Sequence, residues 1–61
     1  MDKYSVIKNK VGRYYCEELG VFISDILLAT FYYDPKDAVA VIDQQGFRDS
    51  NVVLVTICEV L

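Results

Sequence analysis

At 61 residues, 54% of them hydrophobic, the chain is one small domain with more apolar surface than a small monomer needs. Its net charge of −3 argues against direct nucleic-acid binding, which needs the opposite sign, and the absence of histidine removes a frequent catalytic base and zinc ligand. Oligomerisation is the usual outlet for such an apolar surplus, so a homodimer is expected.

Taken in chain order, Lys3 to Lys8 alternates, with Tyr4, Val6 and Lys8 on one face and Ser5 and Ile7 on the other. That period of two marks a strand. Asn9 to Gly12 carries turn chemistry, and Arg13 to Leu19 resumes as a second strand, so a first hairpin pairs about 3–8 with 13–19. Gly20 breaks that strand. Ser24 then reads as a helix N-cap with Asp25 in the first turn, opening a helix through Ile26 to Tyr33 that is apolar nearly all round. A single long helix over about 15–33 is the competing reading, since Tyr15, Leu19, Phe22, Ile26 and Thr30 also follow helical spacing.

Asp34-Pro35-Lys36-Asp37 has the form of a helix start, and Gly46 would suit its end. The β-branched residues within Ala38 to Ile42 favour a strand instead, and the balance leans that way. Asn51 to Leu61 is the clearest strand. Val53, Val55, Ile57 and Glu59 share one face, Val52, Leu54, Thr56, Cys58 and Val60 the other. With both faces largely apolar, it belongs in the centre of a sheet or at a dimer interface. The whole chain, residues 1–61, is expected to form a single small α+β domain. It would be a dimeric antiparallel β-sheet with one main α-helix packed on it.

No run reaches the roughly 18–20 apolar residues of a membrane span, because Asp25 interrupts the longest one. The first residues lack the apolar stretch of a signal peptide, which suggests a cytosolic protein with no membrane partner. Cys16 and Cys58 then fit as reduced, buried thiols, with a disulfide between them as the alternative in an oxidising compartment, and their spacing matches no metal or redox motif. The charge divides sharply along the chain. Up to Arg13 four bases face one acid, a balance of +3; from Tyr14 onward two bases face eight acids, a balance of −6. An acidic surface of that kind can meet a basic, DNA-binding partner, or serve solubility alone.

Catalysis has little to build on. Glu17 and Glu18 are adjacent carboxylates that a strand would point to opposite faces, Ser24 has no base to activate it, and no phosphate loop is present. No cofactor and no enzymatic activity are expected. Interaction is better served by the aromatic residues, which are enriched at binding hot spots, and Ile26 is the residue expected to be most exposed after the cap.

The spacing Tyr14-Tyr15, Gly20, Ser24-Asp25 and then an apolar residue resembles the small uracil-DNA glycosylase inhibitors of the Bacillus podophages with protein-primed genomes. Those proteins share the short length, the acidic character and a terminal apolar strand closing on Val-Leu, here Val60-Leu61. The similar regions are about 4–33 and 51–61; the Asp34 to Ser50 region lies outside the pattern. The resemblance implies a dimeric DNA mimic that fills the glycosylase's DNA-binding groove in the cytoplasm of a bacterial host cell. Its partner-binding residues would be Glu17, Glu18, Asp25, Ile26, Leu27 and Thr30. Ile26 would take the aromatic's place in the family, whereas Leu27 and Thr30 stand where the family carries an acid and a tyrosine. Inhibition of a different nucleic-acid enzyme, such as a CRISPR effector, polymerase or restriction enzyme, is the alternative.

Overall fold

A computed structural model describes residues 2–57. Five elements carry the chain. Strands β1 (Asp2–Asn9), β2 (Tyr14–Cys16) and β3 (Val21–Ile23) come first, then helix α1 (Pro35–Gln45) and strand β4 (Ser50–Ile57). The strands form one antiparallel sheet in the order β3-β2-β1-β4. The α+β class, a small antiparallel sheet with one main helix, is therefore as the sequence implies. The helix is a different segment from the one expected.

The turn residues set the hairpins. Between β1 and β2 the Asn9 side-chain carbonyl accepts bonds from the N–H groups of Val11 (3.2 Å) and Arg13 (2.8 Å), and Gly12 takes the left-handed conformation that closes the loop. Between β2 and β3 the Gly20 N–H returns to the Cys16 carbonyl at 2.8 Å, again with positive φ. The second strand thus ends at Cys16, and Glu17 and Glu18 lie in a turn, not on opposite faces of a strand.

The expected helix over Ile26 to Tyr33 is absent, as is the long helix over 15–33. In their place is a single 3-10 turn, Ile26–Leu28, capped by Asp25 and not by Ser24. An apolar run with no polar face gives a helix no side to turn to water, and β1 offers the run another partner. Ser5 and Tyr32 exchange two backbone hydrogen bonds, at 2.7 and 2.8 Å. That pairing pulls Phe31-Tyr32-Tyr33 straight, and the three rings alternate. Tyr32 enters the core under α1, while Phe31 and Tyr33 join Tyr4 on the opposite side, with ring centroids 5.9 and 6.0 Å away.

The lean toward a strand at Ala38 to Ile42 is also corrected, because this segment is the middle of α1. Three local signals outweigh its β-branched residues. Asp34 accepts the Lys36 N–H at 2.9 Å, Pro35 occupies the first turn, and Gly46 ends the helix with φ 71°. The Phe47 N–H also reaches back to the Ile42 carbonyl at 3.1 Å. Helical spacing then places Ala38, Val41 and Ile42 on one face. Together with Ile7, Tyr15, Tyr32 and Val52 they make the core between helix and sheet. The turn after α1 drops Phe47 onto Tyr15 and Phe22, whose ring centroids lie 4.9 and 5.0 Å from it.

The last strand lies at an edge of the sheet and not at its centre; β2 and β1 are the interior strands. β1 runs the length of β4, from Asp2↔Ile57 to Asn9↔Ser50, and is its one strand partner among the described residues, while Val52 also packs against the core under α1. The expected continuation of the strand through Cys58, Glu59, Val60 and Leu61 lies outside the described residues.

Candidate protein-binding surface

Threonine 30 fastens two loops together. Its hydroxyl accepts the Glu17 N–H at 2.7 Å, and its own N–H donates to the Tyr15 carbonyl at 3.0 Å. The Tyr32 hydroxyl closes the arrangement by donating to a Glu17 carboxylate oxygen at 3.3 Å. Burial first, and the neighbouring Glu17 charge second, push the Tyr32 phenol well above its ordinary pKa. It therefore stays protonated and a donor throughout the physiological range.

The 3-10 turn lies just before this stitch. The Asp25 carboxylate accepts the Leu27 N–H at 3.0 Å, and the Leu28 and Ala29 N–H groups return to the Asp25 and Ile26 carbonyls, both at 3.1 Å. So short a turn cannot bury all of its apolar residues. Ile26 is half-buried and Ala29 buried, which leaves Leu27 and Leu28 outside at 78% and 64% exposure. Asp25, Glu17 and Glu18 are exposed as well. The product is a pair of displayed leucines on a turn tied, through Thr30, to a carboxylate-bearing loop.

The six residues singled out from the sequence therefore fall into two joined groups. Asp25, Ile26 and Leu27 make the turn; Glu17, Glu18 and Thr30 belong to the stitched loops. Ile26, expected to be the most exposed, is less so than its two successors. Leu28 and Tyr32 were not singled out from the sequence. The period-two alternation of Phe31-Tyr32-Tyr33 was the available signal for Tyr32, and the composition of the turn concealed Leu28. Among the described residues no three Cys, Asp or Glu side chains cluster as metal ligands, and no helix is long and apolar enough to cross a membrane. Cys16 is a buried free thiol; Cys58 lies outside the described residues.

Elsewhere charge contributes little. The Lys10–Asp49 pair at 3.6 Å is solvent-exposed, and exposed pairs contribute about 0–1 kcal/mol. A shallow hollow of about 290 Å³ lies at the end of α1, lined by Ile42, Asp43, Phe47 and Arg48 among others. It gathers no set of groups suited to acid–base or nucleophilic work.

Comparison of the chain with protein-family models, with curated proteins and with solved structures yields no match. The class of protein rests on geometry alone: a small α+β domain that displays an apolar turn beside exposed carboxylates.

Proposed function

We propose that the protein is an inhibitor of a bacterial uracil-DNA glycosylase, acting in the cytoplasm of the host cell by occupying the enzyme's DNA-binding groove. The exposed Leu27-Leu28 turn beside Asp25, Glu17 and Glu18 is the observation that carries this reading. An enzyme that flips bases has a basic groove for phosphates and an apolar element that probes the stack. Carboxylates complement the groove, and two displayed leucines complement the apolar element. The spacing of Tyr14-Tyr15, Gly20 and Ser24-Asp25 supports the choice of enzyme.

The test is uracil excision from a labelled oligonucleotide by a purified bacterial glycosylase. Excision is expected to stop at near-stoichiometric inhibitor, and full activity in large excess would overturn the proposal. Because Leu27 is 78% exposed, Leu27→Asp leaves the fold in place. Loss of a leucine contact worth about 2 kcal/mol weakens inhibition roughly 30-fold. Undiminished inhibition by that variant would remove the turn from the binding surface.

A further inference from the structure

The turn that displays Leu27 and Leu28 makes only local hydrogen bonds. The Asp25 carboxylate accepts the Leu27 N–H, and the Leu28 and Ala29 N–H groups return to the Asp25 and Ile26 carbonyls. Among the described residues no hydrogen bond ties Ile26–Leu28 directly to another element. The chain is bonded to the rest of the fold on either side of the turn. Before it, Ile23 pairs with Tyr14 in the sheet. After it, the Thr30 N–H donates to the Tyr15 carbonyl, and the Thr30 hydroxyl accepts the Glu17 N–H.

Glu17 is tethered twice. Its N–H reaches Thr30 Oγ1 at 2.7 Å, and one oxygen of its carboxylate takes the Tyr32 hydroxyl at 3.3 Å. The second oxygen, on an exposed residue, is left for a cation of a partner. The two residues that do the tethering are poorly placed to touch a partner themselves. Tyr32 is in the core, and Thr30 is half-buried with both its N–H and its hydroxyl oxygen engaged within the chain. The resemblance would make Thr30 a direct contact; the geometry gives it a different task.

We infer that Thr30 and Tyr32 are positioning residues of the binding surface, resting on the inhibitor reading for the identity of the partner. They hold the Glu17 carboxylate and the Leu27-Leu28 turn in a fixed relation, so that a partner meets the anionic and the apolar contact as one preformed unit. A turn with local bonds only would have to be ordered on binding, and that ordering lowers affinity. The stitch does the ordering in advance. Thr30→Val keeps the shape and the β-branching but removes the acceptor. The Glu17 N–H belongs to an exposed residue and turns to water, so the sheet stays intact. Losing one such hydrogen bond corresponds to a roughly fivefold loss of affinity.

Two measurements test this. Amide NMR on the free protein needs no partner. In the parent and in Thr30→Ser the Glu17 amide should resist exchange, and the Leu27 and Leu28 amides should show order parameters of about 0.85. In Thr30→Val the Glu17 protection should vanish and the turn should fall toward about 0.6. A turn as rigid in Thr30→Val as in the parent overturns the inference, whatever the partner is. Inhibition of uracil excision reads the consequence. Thr30→Val and Tyr32→Phe should each weaken it roughly fivefold at unchanged circular dichroism, and Thr30→Ser should keep it. In a Leu27→Ala, Leu28→Ala background Thr30→Val should cost clearly less, because a turn without its contacts gains little from being held. A fully additive loss makes Thr30 a contact in its own right and overturns the positioning role, as does undiminished inhibition by Thr30→Val. A parent that inhibits no glycosylase refutes the inhibitor reading, and the exchange and order parameters then decide the positioning role alone.

Discussion

Shortening Ile7 tests whether the cluster between helix and sheet holds the fold together. Ile7 is 0% exposed and packs with Tyr15, Tyr32 and Ala38, bordered by Phe22, Val41, Ile42, Phe47 and Val52. Ile7→Val removes one methylene from this fully buried site, at a cost of about 0.5–1.5 kcal/mol, and Ile7→Ala costs about 2–5 kcal/mol. A chain of 61 residues has a total stability of roughly 3–9 kcal/mol, so the alanine variant loses from about a fifth of that stability to all of it. For so small a domain the urea slope is about 1 kcal/mol per molar, and Ile7→Val moves the midpoint down by about 1 M at unchanged slope. Ser5 supplies the control. It is two residues away on the same face and equally buried, but its hydroxyl has no hydrogen-bond partner. Removing an unpaired buried polar group is neutral or favourable, so Ser5→Ala leaves stability unchanged or raises it by up to about 1 kcal/mol. An unmoved midpoint in Ile7→Val, or an equal drop in Ser5→Ala, would show that packing in this cluster does not hold the fold together.

Two further outcomes follow from local geometry. Gly46 ends α1 with φ 71°, and a β-carbon there would meet open space, so Gly46→Ala costs only the backbone strain of about 1 kcal/mol. A thermal melt showing the variant equal to or above the parent would contradict that cap. Tyr32 has a folded-state pKa raised above its unfolded value of about 10, so its contribution is complete below pH about 10 and is lost as pH rises toward the folded value. Urea midpoints measured from neutral to alkaline pH should fall less steeply in Tyr32→Phe than in the parent; equal slopes would show that the burial of this phenol and its Glu17 contact have no such effect.

How much was legible in the sequence depended on how far apart the deciding residues lie. The β1 alternation and the Asn9 to Gly12 turn were legible because strand period and turn chemistry act over a few residues. The same holds for the Asp34, Pro35 and Gly46 signals of α1. A cap at each end fixes a helix that the β-branched residues within it only mildly disfavour. In the candidate surface, Asp25, Ile26 and Leu27 are neighbours in the chain and so legible, whereas the bond from the Glu17 N–H to Thr30 joins residues thirteen apart and carries no local signal.

What the sequence determined by itself was a small α+β domain, acidic beyond its first strand and richer in apolar residues than its size requires. Only the tertiary structure decided that the Ile26 to Tyr33 run becomes a turn and an extended segment, that β1 and not β4 lies inside the sheet, and that Leu27 and Leu28 stay outside. The physical reason is the same in each case. An apolar run with no polar face carries no preference of its own between helix and strand. Its conformation is settled by the backbone hydrogen bonds that a distant strand, here β1 through Ser5, can offer it.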